Sequence, residues 1–464
     1  MTDTPWTGDA CSLVEAFRRG ERSPVEELEA TYTAIDASPT NSVCFTDREA
    51  ALAAATDADV GLPFGGVPIG VKELDNVTGW PATHASAAFA DDIASYTDTK
   101  IARLEAAGAV LAAQTTASEF GGVNQTFTKI HGATRNPWNL ERTPGGSSGG
   151  SAAGVAEGLF SIATAGDGGG SIRIPGGFCG LVGLKSTFGR IPRGPHCGPG
   201  NLTVTPGCVS RSVRDTARWF DVSNGFDFHD PITLPAVHGW EAGLGSHTEA
   251  LRGLRAAVVP EFAGAVVATE TIELVVEAAE WLIEAAGLVR TEADFVVPRS
   301  GAMWSASGGV GLWNTVMDRW PECADDLTGL MRSGVEATIA GFDATAAVRS
   351  ERARVEVNEG MATLFETTDL LMCATNPDVA FGAESHLPSE FGGKPASPIN
   401  NGALTIPSNI YGNPAISIPI GFSHDGLPVG LQILAPHFAE QLLLDLALEV
   451  EAERPWPLTV PTPN

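Results

Sequence analysis

Lysine is scarce in this chain. The five lysines, at positions 72, 100, 129, 185 and 394, stand against 56 acidic residues, and the formal net charge is −28. At that charge, repulsion from phosphates argues against a nucleic acid or an anionic membrane as a partner. Cysteine is also sparse: positions 11, 44, 179, 197, 208, 323 and 373 are scattered, odd in number and contain no CxxC. That pattern fits reduced thiols better than a disulfide framework or a zinc site. The nine histidines show no HxH, HxxxH or HExxH spacing, so no metal is expected. No apolar run approaches the roughly 18 residues of a membrane helix. The opening MTDTPWTGDACS has no basic stretch leading into an apolar one. A secretory leader is therefore not expected, and a cytoplasmic location is.

Apolar residues make up 43% of the chain, enough for a sizeable core. Residues 9–36 read as helical, with Ser23-Pro24 placing Ser at an N-cap and Pro at the first helical position. Further helices are expected at 48–58, 98–108, 151–159, 343–366 and 438–453. Strands are expected within GGVPIGVKELDNVTG (65–79), AVLAAQT, FSIATAG, TDLLMCAT, NPAISIPIGF and LPVGLQIL. Segment 225–340 is less regular and reads as a variable cap or insertion. Helices and strands alternate without repeat or dividing linker. This predicts an α/β fold over 1–464: one large domain, its mixed β-sheet covered by helices on both faces.

Two glycine runs lie close together, TPGGSSGGS (143–151) and DGGGSIRIP (167–175). Neither is a P-loop, which needs lysine directly after glycine, and neither opens a Rossmann unit, so no nucleotide cofactor is expected. Gly145-Gly146-Ser147-Ser148-Gly149 fits GxSxG, but NPWNLERTP before it is a poor strand for a nucleophile elbow. The second run is more specific. Successive glycines can aim backbone N–H groups at one point, as an oxyanion hole requires, and Ser171 closes the run.

Three stretches taken together, GVPIGVKELDNVTG, PGGSSGGSAAG and DGGGSIRIPGGFCGLVGLKSTFGR, resemble the amidase signature family. TRNPWNLERTPGGSSGG and NIYGNPAISIPIGFSHDGLPVGLQIL extend the likeness. It covers the N-terminal helices, a catalytic core at 60–195 and about 360–453, and is weak between 225 and 340. The resemblance implies a Ser-cisSer-Lys triad: Ser171 as acyl-forming nucleophile, Lys72 as base and Ser147 as relay, preceded by a cis Gly146–Ser147 bond. It implies an oxyanion hole from the N–H groups of Gly168, Gly169, Gly170 and Ser171, and a loop braced by Asp167 and Arg173. A base must be neutral, and an ordinary lysine is neutral in fewer than about one in a thousand molecules at pH 7. Val67, Ile69 and Val71 offer apolar surroundings that would lower its pKa.

Some positions depart from the family pattern. Gly166 and Gly168 flank Asp167, Glu73 follows Lys72 where aspartate is common, and TNPD stands at 375–378. The glycine-rich version is similar to that of 6-aminohexanoate cyclic dimer hydrolases, aryl acylamidases and urethanases. By the same resemblance Phe120, Gly121, Gly122, Val123 and Asn124 line the acyl pocket, with the two glycines leaving room for a bulky group. Trp304 and Trp313 are candidates for its roof, with a core role as the alternative for each; Tyr411 and Phe381 are similar candidates, and Ser148 and Ser151 read as loop and helix-start residues. The expected activity is hydrolysis of a small-molecule amide, aryl amide or carbamate (urethane), with esterase side activity open. No cofactor is implied, and the oligomeric state stays open, a homodimer included. The alternative is the amidase subunit of a tRNA-dependent amidotransferase. The GTYALS-type stretch of that subunit is absent here, and the −28 charge disfavours a tRNA-bound assembly.

Overall fold

The computed structural model describes residues 4–198, 202–292 and 295–461, so Met1–Asp3 of the opening segment lie outside the described residues. Local signals set the first helices. Helix Ala10–Arg19 starts where Asp9 caps it, accepting the Ser12 N–H at 2.8 Å; Gly20 ends it at φ 68°. Helix Pro24–Ala37 begins with the Ser23/Glu26 capping box and Pro24 in its first turn.

Eleven strands form the scaffold: β1 (Val43–Phe45), β2 (Pro68–Lys72), β3 (Val110–Thr115), β4 (Ile162–Asp167), β5 (Gly183–Lys185), β6 (Thr205–Ser210), β7 (Arg255–Val258), β8 (Val289–Arg290), β9 (Leu370–Ala374), β10 (Ala415–Phe422) and β11 (Pro428–Leu434). They pair as a five-stranded sheet, β1-β3-β2-β4-β6, and a six-stranded sheet, β8-β7-β9-β11-β10-β5. Both are mixed: β2 runs parallel to β3 and β4, whereas β6 is antiparallel to β4 and β10 to β11. The single sheet expected from sequence is thus two ladders. They meet at one residue pair, where Val182 and Ser210 exchange backbone hydrogen bonds of 3.0 and 3.2 Å.

The stretch 225–340 divides rather than forming one cap. β7 sits inside the six-stranded sheet, and helix Thr269–Ala285 buries Val275, Ala279 and Leu282 in the core shared with β9 and β11. The helices Gly301–Val316 and Gly329–Gly341 pack on each other. Their Val316, Met331 and Val335 form a separate cluster with Phe89, Phe120 and Val123. Among the described residues no helix is long and apolar enough to cross a membrane.

Candidate active site

β2 and β4 are parallel neighbours, so their carboxyl ends open at one edge of the sheet, where open α/β sheets take their ligands. β2 ends in Lys72 and β4 in Asp167. All five residues of β2 are buried, and Val67, Ile69 and Val71 belong to the main core. Lys72 is therefore carried into the interior at 2% exposure. Its backbone N–H donates to Thr164 Oγ1 at 2.9 Å, tying the end of β2 to β4.

The first glycine run returns the chain to this edge. The Gly146–Ser147 peptide bond is cis. Lys72 Nζ lies 2.8 Å from Ser147 Oγ and 2.8 Å from Ser148 Oγ. Ser148, read from sequence as a loop residue, is thus a direct partner of the lysine. Ser151 does start the following helix, Gly149–Glu157, and its hydroxyl donates to the Thr164 carbonyl at 2.8 Å.

Burial is the largest influence on Lys72 and lowers its pKa to about 8; Asp75 opposes and Lys100 reinforces the shift. Asp75 lies 2.9 Å from Lys100 Nζ, which Asp98 also approaches at 3.1 Å. For Lys100 the two carboxylates outweigh the same burial and push its pKa up.

The second glycine run is clamped by a buried polar network. Burial alone would raise the Asp167 carboxyl, but the Arg173 guanidinium and then Asn409 hold it well below the usual range. Arg173 Nε and Nη2 each reach Asp167 at 2.9 Å, and Nη1 reaches Gln432 Oε1 at 2.6 Å and the Thr405 carbonyl at 3.0 Å. Asn409 Nδ2 donates to Asp167 Oδ1 at 2.7 Å. Gly170 is at φ 122°, and a Cβ there would lie 2.4 Å from Thr405 Oγ1, so the turn excludes larger residues.

Gly170 gives its N–H to Asp167 Oδ1 at 2.7 Å, which removes it from the expected set of free oxyanion donors. Gly168, Gly169 and Ser171 are the part-exposed residues of the turn. Trp304 Nε1 donates to the Gly168 carbonyl at 2.6 Å, and Thr405 Oγ1 to that of Gly169 at 2.6 Å.

Residues 120–124 also come to this place. The Ser118 N–H donates to the Ser147 carbonyl at 3.1 Å, and a Cβ on Gly121 would lie 3.3 Å from Ser147 Oγ. The room expected at the glycines is not open at Gly122, where a Cβ would meet Met331 Cε at 2.9 Å. Phe120 stacks on His84 at 6.3 Å, and Asn124 Nδ2 reaches the Asn401 carbonyl at 3.5 Å. Of the aromatic candidates, Trp304 covers the turn. Trp313 packs on Trp320, Tyr411 on Phe365 and His437, and Phe381 on Phe178. Thr405, Asn409 and Gln432 escaped the sequence reading, although Asn409 and Gln432 lie inside NIYGNPAISIPIGFSHDGLPVGLQIL.

A family model described as Amidase matches residues 26–444. An acylamidase of Rhodococcus erythropolis is 34% identical, with 96% of this chain and 95% of that protein covered. A glutamyl-tRNA(Gln) amidotransferase subunit from Salinispora tropica is 33% identical over 97% of this chain and 98% of its own length. Among solved structures, a bacterial aryl acylamidase superposes with TM-score 0.91 at 25% identity, covering 98% of this chain and 99% of the other. A 6-aminohexanoate cyclic dimer hydrolase gives 0.86 at 30%, with 97% of each chain covered. The corresponding amidotransferase subunit from Thermotoga maritima gives 0.69 at 26%, over 85% of each chain. The chain belongs to the amidase signature family and has its single-domain α/β fold.

Proposed function

We propose that the chain is a stand-alone hydrolase that cleaves amide-type C–N bonds through an acyl-enzyme on Ser171. The observation that carries this reading is the contact of a buried, pKa-lowered lysine with Ser147 Oγ at 2.8 Å, at the sheet edge where β4 leads into the glycine turn of Ser171. Neutral Lys72 takes the Ser147 proton, and Ser147 takes that of Ser171. The Ser171 oxygen then bonds to the acyl carbon. The developing oxyanion meets the N–H groups of Gly168, Gly169 and Ser171, each donor contributing roughly 3 kcal/mol. On collapse the C–N bond breaks, the relayed proton passes to the leaving nitrogen, and the amine departs. Water attacks the remaining ester by the same relay and releases the acid. Side chains and backbone supply every step, so the reading needs no cofactor.

The substrate class we favour is a small-molecule aryl amide or carbamate. The aryl acylamidase likeness supports it, as does the aromatic cluster of Phe89, Phe120 and Trp313 beside residues 121–124. A cytoplasmic location goes with this reading, and the net charge of −28 fits it. The test is Ser171→Ala, assayed on anilides, carbamates and esters: turnover should vanish with the fold intact by circular dichroism. Near-full activity in that variant sinks the triad, and inertness of the wild type toward the whole panel sinks the substrate class.

A second reading follows from the full-length match to the glutamyl-tRNA(Gln) amidotransferase protein: a glutaminase working inside a complex. The fold sits farther from the solved amidotransferase chain than from the aryl acylamidase, 0.69 against 0.91. Glutaminase activity that appears only with partner proteins added would establish this reading instead.

A further inference from the structure

Away from the Lys72–Ser147–Ser171 line, three metal-ligating side chains converge from distant segments. Cys44 lies in β1, Glu73 just beyond β2, and His131 in the turn after Thr128. Their ligand atoms all lie within 4.8 Å of one another. His131 Nε2 is 2.8 Å, and Cys44 Sγ 3.8 Å, from the same oxygen, Glu73 Oε2. The Glu73 side chain is 1% exposed and that of His131 18%, so the cluster opens to solvent on the imidazole side. Separations of 29 residues (Cys44 to Glu73) and 58 residues (Glu73 to His131) hide the group from any spacing motif.

We infer that Cys44, Glu73 and His131 form a binding site for a borderline divalent cation of the zinc class. A thiolate, an imidazole and a carboxylate are a zinc donor set, and three protein ligands leave a fourth position for water. The soft sulfur ligand selects against magnesium and calcium. In a tetrahedral zinc site the ligand atoms sit roughly 3.3–3.6 Å apart, as follows from bonds of about 2.0–2.3 Å. The Cys44–Glu73 distance must close by about 0.2 Å and the His131–Glu73 distance open by about 0.5 Å to reach it. Both are side-chain adjustments. Burial and the neighbouring Glu73 push the Cys44 thiol up, so the free site keeps its proton. On binding, the thiol proton leaves to solvent, and the Nε2 proton that His131 gives to Glu73 Oε2 is displaced, the ring carrying its proton on Nδ1 once Nε2 holds the cation.

The site also touches the reaction machinery. Glu73 Oε1 accepts the Ala117 N–H at 2.6 Å, and the next N–H, of Ser118, holds the Ser147 carbonyl at 3.1 Å. A cation drawing on this carboxylate pulls on the loop behind Ser147, so occupancy slows turnover. This coupling rests on the triad reading; the binding does not.

Titration of the full-length protein with Zn²⁺ and with Co²⁺ tests both. One equivalent should bind, and the cobalt form should show a near-ultraviolet thiolate-to-metal charge-transfer band. Cys44→Ser should lose the band, and both it and His131→Asn should weaken binding by at least about tenfold. Cys197→Ser, a part-exposed cysteine elsewhere, should keep band and affinity. Thermal unfolding of each variant checks that it is folded. Absence of stoichiometric binding overturns the site, as does an unchanged band and affinity in both ligand variants. Zn²⁺ should lower kcat of the wild type and not of Cys44→Ser. Intact binding with unchanged kcat overturns the coupling alone, and the triad is judged separately by Ser171→Ala.

Discussion

Asp75 Oδ1 lies 2.9 Å from Lys100 Nζ, and this pairing separates the fates of two buried lysines. Lys100 is held by Asp75 and Asp98 and stays charged. Among the described residues the Lys72 amine bonds to hydroxyls, those of Ser147 and Ser148, and burial lowers its pKa to about 8. The Lys100 charge lowers the Lys72 pKa, while Asp75 raises it. Lys100→Met removes the first and leaves the second unbalanced. The acid limb of kcat/KM should then move about one unit toward alkaline pH, with about tenfold less activity at pH 7. The double variant Lys100→Met/Asp75→Asn removes both charges and should bring the limb back. A pH–rate profile that does not shift in Lys100→Met would remove Lys100 from the account of the base.

The wild-type profile carries its own expectation. In the proposed mechanism the base acts deprotonated, so kcat/KM should rise with pH by about tenfold per unit and level off near the Lys72 pKa of about 8. The same shift bears on stability. Between about 8 and the ordinary value of about 10.4, the unfolded chain holds a proton that the folded one has lost. Burying Lys72 therefore destabilises the fold below about pH 8, and that cost shrinks as pH rises through the window toward 10.4. Lys72→Met should be inactive yet more stable by about 1–2 kcal/mol at pH 7, with the gain fading at alkaline pH. Urea unfolding at two pH values measures this, and a Lys72→Met chain less stable than wild type at pH 7 contradicts it.

The two hydroxyls at equal distance from Lys72 Nζ should not weigh equally. On the proposed mechanism Ser147→Ala breaks the relay, and kcat should fall by about a thousandfold or more. Ser148→Ala leaves the relay and removes one hydrogen bond to the amine, a change of about 10–100-fold. Because that bond helps hold the lysine in place, the loss should fall on kcat more than on KM. Equal losses in the two variants would mean that either serine can pass the proton.

Part of the candidate site is legible in the sequence: a lysine closing an apolar strand and a serine in the first glycine run meet at 2.8 Å, and the parallel strands place the end of β2 and the start of the second glycine run at one edge. What stayed hidden depends on packing between remote segments. Ser148 reads as a loop residue because nothing local tells that its hydroxyl reaches the buried amine as closely as that of Ser147 does. Gly122 looked like room for substrate, but Met331 arrives from a helix two hundred residues on to fill it. Gly170 looked like a donor until the Asp167 side chain folded back under its own turn. The stretch 225–340 reads as a variable cap or insertion because β7 is only four residues long and gives little local signal, yet it pairs with β9 inside the sheet.

Trp304 gives the last test, through the geometry of one peptide unit. Its indole N–H holds the Gly168 carbonyl at 2.6 Å, and its ring lies against Gly169, where a Cβ would come within 2.7 Å of Cζ2. In a trans peptide the Gly168 C=O and the Gly169 N–H point in opposite directions. Fixing the carbonyl outward under the tryptophan therefore fixes the Gly169 N–H toward the opposite side, which the proposed mechanism gives to the oxyanion. Trp304→Phe keeps an aromatic ring over Gly169 and removes only the hydrogen bond. Losing an oxyanion donor outright costs about 10²–10³ in kcat, and loosening one should cost about tenfold. The ground-state carbonyl depends on that donor less than the tetrahedral intermediate does, so KM should hold. An aldehyde analogue of the substrate, bound as its tetrahedral adduct, should lose affinity in proportion to kcat. If Trp304→Phe raises KM with kcat and aldehyde affinity unchanged, the tryptophan packs against substrate and has no part in orienting the turn.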